Sequence, residues 1–150
     1  MSNTDKQQLM SFYKKTKKAI DGKWYPQGVT VGRPVTTREV AEQLARLSSL
    51  SRGDVYSVLS ELGGVLAHYM AQGRTVKLEG MGTFFYTPDM KGQGVDTPQE
   101  VSARQIRGTH VRFIPETRRA ANKSITARTL VPPGVEWLDI EEEAATRRQP

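Results

Sequence analysis

The spacing of apolar residues divides this chain of 150 residues into stretches of different period. Thr36-Thr37-Arg38-Glu39 opens a helix, because Thr36 and Glu39 stand at the spacing of a capping box. Val40, Ala41, Leu44 and Leu47 follow on one helical face. Leu50-Ser51 closes that helix and opens another, with Ser51 as N-cap and Leu50 as hydrophobic staple. Val55, Val58, Leu59, Leu62, Val65, Leu66, Tyr69 and Met70 give the second helix a broad apolar face, and Gly73 supplies its stop. After Gly73 the period falls to two. Residues 74–79 alternate as a strand, Gly80-Met81-Gly82 turns the chain, residues 83–87 begin the next strand, and residues 109–114 form a last one ending at Pro115. Residues 116–123, acidic first and basic last, predict a short terminal helix. The polar stretch 88–108 is too long for a structureless loop. It predicts a protruding two-stranded arm that turns near Gln93-Gly94-Val95-Asp96.

Ahead of the helices, residues 9–16 and 23–31 read as a β-hairpin about Asp21-Gly22, a two-residue turn signal. Pro26 cannot donate to a ladder and places the return strand at an edge. Phe12, Tyr13, Trp24 and Tyr25 are interleaved with lysines. They either pack on the body with the lysines in solvent, or form a nucleic-acid platform. The pair of helices is likewise open to two readings, a helix-turn-helix reader or an α-hairpin whose faces are core. The second helix is apolar and poor in Arg, Asn and Gln, which favours core. The fold class is α+β, in three segments: a basic hairpin extension at 1–35, a domain at 36–125 and an acidic, Pro-containing tail at 126–150.

Charge and composition narrow the chemistry. The net charge is +6, which favours a polyanionic partner. Hydrophobic residues make up 37% of the chain, little for a domain that buries a core alone, and a core shared with a second copy relieves the shortage. Cysteine is absent, which excludes disulfides, thiolate metal sites and cysteine nucleophiles. No apolar run reaches spanning length and the first eight residues lack a signal-peptide core, so a cytoplasmic protein is expected. His68 and His110 lack metal-ligand spacing, and no phosphate-cradling loop is present. No catalysis, cofactor, metal or small-molecule substrate is therefore expected. Glu141-Glu142-Glu143 reads as a solvated tail or, with Trp137, Leu138 and Ile140, as a segment that docks on a protein or covers a basic surface.

Three landmarks and their separations add a resemblance: Leu50-Ser51 before the second helix, Gly80-Met81-Gly82-Thr83-Phe84, and Phe113-Ile114-Pro115. Over residues 36–124 the chain resembles the HU/IHF family of bacterial histone-like proteins, and its basic extension resembles that of longer HU-like proteins from Bacteroides-type bacteria. The resemblance implies an intertwined homodimer with an α-hairpin base, a three-stranded antiparallel sheet and arms that embrace the minor groove of double-stranded DNA. Binding would then follow charge and DNA deformability, in the nucleoid. One departure concerns the arm tip, where the family carries Arg-Asn-Pro. An ungapped alignment puts that proline on Thr97, leaving Pro98 one place later as a wedge or a turn proline. The arm is also charge-poor, because Asp89, Asp96 and Glu100 oppose its cations. DNA contact is expected at Lys91, Pro98, Arg104 and Arg107 in the arm, at Arg112, Arg118 and Arg119 in the body, and at Lys14, Lys15, Lys17 and Lys18 in the extension. The alternatives are a protein-interaction or scaffold module on this fold with weak or lost DNA binding, and an RNA-binding protein.

Overall fold

The computed structural model describes residues 9–148. They form two compact units: a terminal unit that joins residues 9–34 with 131–148, and a central unit of residues 35–130.

In the terminal unit, β1 (Met10–Lys17) pairs antiparallel with β2 (Trp24–Val29). The connection is longer than the two-residue turn expected at Asp21-Gly22. Lys18 N donates to Lys23 O (2.9 Å) and Gly22 N to Lys18 O (2.9 Å), so residues 19–22 make the loop and Gly22 takes its left-handed position at φ 66°. Strand β2 is an edge, as Pro26 requires.

The central unit opens with α1 (Thr37–Leu47) and α2 (Arg52–Met70). Both expected caps form. Glu39 N donates to Thr36 Oγ1 (3.3 Å) while Thr36 N donates to Glu39 Oε2 (2.8 Å), and Asp54 N donates to Ser51 Oγ (3.1 Å). Along α2 the residues Val55, Leu59, Leu62, Leu66 and Met70 are buried or half-buried, with Val55 and Met70 in the core. The next stripe round the helix, Val58, Val65 and Tyr69, lies bare, and Val58 is 61% exposed.

An antiparallel sheet of β3 (Val76–Leu78), β4 (Gly82–Met90) and β5 (Ile106–Pro115) follows in the order β3-β4-β5. Register pairs Phe84 with Phe113, whose rings meet at 4.7 Å. The turn into β4 depends on glycine. A Cβ on Gly82 (φ 154°) would lie 2.3 Å from the Ile114 carbonyl oxygen and 2.7 Å from the Phe113 ring.

Two expectations are corrected in this unit. Strands β4 and β5 stop at Met90 and Ile106, with a bulge at Asp89/Met90. The arm therefore ends in a loop with 3₁₀ turns at Pro98–Glu100 and Ala103–Gln105, and is not a ribbon to its tip. Residues 116–123 are not a helix. They contribute β6 (Thr117–Arg119) and a tight turn that leads into the antiparallel β7 (Ile125–Arg128). Lys123 adopts φ 66° there, while Ser124 N and Oγ donate to Asn122 Oδ1. A local Asx bond of this kind competes with helix. Glu116, expected to start the helix, accepts instead from Gly80 N (3.1 Å) and Thr129 Oγ1 (2.8 Å), tying the β3–β4 turn to the end of β7.

The acidic C-terminal run is folded as well. Strand β8 (Glu136–Asp139) pairs parallel with β1, giving the terminal sheet the order β2-β1-β8. Helix α3 (Ile140–Arg147) follows, capped by Asp139, whose Oδ1 accepts from Glu141 N at 3.0 Å.

Candidate nucleic-acid interface

In the central unit, strand alternation sets which cations share a face. Phe85 lies opposite Arg112, and Thr83 lies opposite both Lys77 and Ile114. Lys77, Phe85 and Arg112 therefore stand on the face away from the Phe84–Phe113 pair. Arg112 is placed outward, as expected from its position beside Phe113. The sequence reading passed over Lys77, although the alternation Val76-Lys77-Leu78 carries the signal. Arg118 and Arg119 lie on β6, and β7 brings Arg128 opposite Thr117. Arg119 Nη1 donates to the Lys123 carbonyl (2.9 Å). From residue 112 to 128 the cations Arg112, Arg118, Arg119, Lys123 and Arg128 are opposed by one carboxylate, Glu116, which is engaged in turn hydrogen bonds. None of the five makes an ion pair among the described residues.

The arm differs. Arg107 pairs with Asp89 through a single oxygen, Nε (2.9 Å) and Nη2 (2.8 Å) both meeting Oδ2, and His110 Nε2 lies 3.6 Å from the other oxygen. Lys91 and Arg104 are exposed in the loop, alongside Asp96 and Glu100. Pro98 is exposed at the start of a 3₁₀ turn.

In the terminal unit, the lysines of β1 divide by face. Lys15 and Lys17 share one face with Tyr13, Trp24, Pro26, Gly28, Trp137 and Asp139, whereas Lys14 lies on the other. Lys15 Nζ contacts Asp139 Oδ2 at 3.0 Å and Glu142 at 3.9 Å. The Asp139 side chain is only 1% exposed, and Lys15 supplies its counter-charge at Oδ2 while the Glu141 amide bonds Oδ1. The Lys15 ammonium and the Glu141 amide hold the Asp139 carboxyl below the ordinary carboxylate range, and Asp139 in turn raises Lys15. Lys15 is thus held within the unit. Lys18 sits 4.4 Å from the centre of the Tyr25 ring, and the Tyr25 hydroxyl donates to Asp21 Oδ2 (2.5 Å). Sequence reasoning missed Asp139, because its partner lies more than a hundred residues away; the clue was its position just before a helical run.

Among the described residues no cluster of three or more His, Asp or Glu could hold a metal ion, and no helix is long and apolar enough to cross a membrane. His68 Nε2 accepts from the Gln72 side-chain amide (3.1 Å), and its ring meets Tyr69 edgewise.

An α-hairpin followed by a three-stranded sheet, with an outward cationic face, is the pattern of an HU-type domain. The family profile described as "HU domain fused to wHTH, Ig, or Glycine-rich motif" matches residues 10–128, most of the chain, and the chain belongs to this HU-HIG family. The match takes in the β1–β2 hairpin as well as the central unit. Among solved structures, the chain is similar to a Bacteroides vulgatus ATCC 8482 protein described as an inferred bacterial DNA binding protein. Identity is 13% and the TM-score 0.49, over 87% of this chain and 48% of that one, so this chain spans about half the length of that protein. Comparison with curated proteins returns no match.

Proposed function

We propose that the chain is an architectural DNA-binding protein. It works as a homodimer and grips duplex DNA through its phosphate backbone and minor groove with little regard to sequence. The observation that carries this reading is the run of unpaired cations Arg112, Arg118, Arg119, Lys123 and Arg128 in an HU-type domain. Guanidinium groups without carboxylate partners are free to replace phosphate counterions. The body supplies most of this grip, because Arg107 of the arm is neutralised by Asp89. Such a protein works in the nucleoid, in the cytoplasm.

The homodimer is supported by the bare stripe of α2. A helix apolar nearly all round is a buried helix, yet Val58, Val65 and Tyr69 are exposed, and Val58 and Val65 line a groove of about 400 Å³ with Ser57, Glu61 and Leu62. Gly63 and Gly64 lie in the middle of this helix with no atom of the chain near the position of a Cβ. Each costs about 1 kcal/mol against alanine in a helix. Close approach of a second copy of α2 gives them a use. A second reading, a scaffold module with weakened DNA binding, is favoured by the neutral arm alone.

Titration of a labelled duplex at low salt tests the function. Binding is expected to weaken steeply as salt rises, with similar affinity for unrelated sequences. No binding to any duplex at low salt overturns it. Light scattering is expected to give twice the chain mass.

A further inference from the structure

The Trp24–Trp137 face of the terminal sheet is not used by that function. Tyr13, Trp24, Tyr25, Pro26, Gly28 and Trp137, with Lys15 in the wall, surround a groove of about 610 Å³. The strand register explains it. Gly28 and Pro26 on β2 sit opposite Tyr13 and Lys15 on β1, while β8 brings Trp137 level with Ser11 on the far side. The floor is low because Gly28 has no side chain, and the Trp137 ring lies 3.6 Å from where a Cβ would stand. Both indoles remain open to solvent, Trp24 at 67% and Trp137 at 60%. Two exposed indoles facing one groove form an apolar surface of the kind that marks a binding site.

The surrounding charge selects the occupant. No residue lining the groove is acidic. Lys15 is committed to Asp139 and Lys18 to the Tyr25 ring. Lys17, opposite Trp24 on the same face, and Lys23, its neighbour in sequence, have no carboxylate partner among the described residues. Flat aromatic faces beside free ammonium groups fit a chain of bases joined by phosphates, in which any base stacks and the backbone meets the lysines. A double helix keeps its bases stacked on one another and offers no such face. We infer that the terminal unit carries a second nucleic-acid site, an aromatic groove that takes unpaired nucleotides of a single strand by stacking on Trp24 and Trp137, with Lys17 and Lys23 on the phosphates. This site is independent of the duplex grip proposed for the central unit.

The chain contains two tryptophans, and both line this groove, so its tryptophan emission reports on the terminal unit, with Trp24 specific to this groove. The test titrates the full chain at low salt with a thymidine oligomer of about ten nucleotides, within the span of a single-strand site. Saturable quenching is expected. Trp24→Ala should weaken binding about tenfold or more, Trp24→Phe should restore most of it, and Lys17→Gln should flatten the salt dependence. Circular dichroism checks that each variant keeps its fold, which the exposure of Trp24 favours. Excess duplex should leave the quenching in place, and Arg118→Ala/Arg119→Ala should leave it unchanged even where duplex binding is lost. A uridine oligomer run in parallel tells a DNA strand from an RNA strand, and tighter binding of either supports the site. Emission unmoved by both oligomers, full affinity in Trp24→Ala, displacement by duplex, or quenching by a proline-rich peptide alone each overturns the inference.

Discussion

Both units leave apolar surface uncovered, but of different kinds. On α2 the groove between exposed Val58 and Val65 is largely aliphatic, and Gly64 in the same helix has no atom of the chain near the position of a Cβ. On the β2-β1-β8 sheet it is aromatic and flanked by lysines. Aliphatic side chains gain only by excluding water and by close packing, which suits another protein surface and above all a copy of the same helix. Indole rings offer a flat face to one planar group at a time, and the lysines beside them favour one that carries phosphate. The difference teaches that exposure alone does not name a partner, whereas the chemistry of the exposed atoms does.

The largest effect that can break this comparison lies on α2. Val58→Asp with Val65→Asp would bury two uncompensated charges at the proposed dimer seam, at a cost of at least about 3 kcal/mol. Light scattering should then show monomer, and urea unfolding followed by circular dichroism should lose its main transition while tryptophan emission in water stays as in the parent. An unchanged dimer removes this face from the interface. Next in size is duplex binding. Arg118→Ala and Arg119→Ala should each lower the slope of log affinity against log salt by about 1, and Arg107→Ala should change it far less because Asp89 already holds that guanidinium. Equal effects at all three positions would return the arm to the grip.

Smaller still, but informative in sign, is Gly64→Ala. If α2 were simply solvated, alanine would stabilise the helix by about 1 kcal/mol. With a second α2 packed there, the added methyl should destabilise the dimer, as read from the concentration dependence of thermal unfolding. Last comes the Lys15–Asp139 pair. The Asp139 carboxyl is depressed in the folded chain, so its contribution is present above about pH 4 and is lost as pH falls through the lowered value. Lys15 is raised, so its contribution is present below about pH 10.4 and is lost as pH rises through the raised value. Tryptophan emission followed during acid and alkaline titration should show both losses, and Asp139→Asn should remove both.

Much of the central unit was legible because its signals are local. Thr36 with Glu39, Ser51 with Asp54, and the apolar period of α2 all act within a few residues, and the structure realises each. Gly82 was legible as a turn glycine, though the close approach of Ile114 and Phe113 that demands it was not. Residues 116–123 misled because an acidic start and basic end resemble a helix. The Asn122–Ser124 bonds and the pull of Gly80 and Thr129 on Glu116 decided otherwise, and the latter act across the sheet. The arm cations were legible as a charge-poor set, but not the Arg107–Asp89 pairing across the ribbon. Strand β8 lay furthest out of reach. A parallel pairing between residues near 10 and near 136 leaves no local trace, so the acidic run read as a tail.

That parallel pairing also governs the order in which the chain can acquire its structure. The terminal unit is discontinuous, with the whole of residues 35–130 inserted between its halves. During synthesis the β1–β2 hairpin emerges first and can close locally, but its third strand is made only after the central unit is complete. A two-stranded hairpin alone is marginal, so β1 must wait with one edge unpaired while the inserted domain folds. Closing so long a loop slows this step more than it weakens the result, because closure entropy grows only logarithmically with length. Completion of the terminal sheet therefore reports that residues 136–139 have been synthesised and have returned to β1.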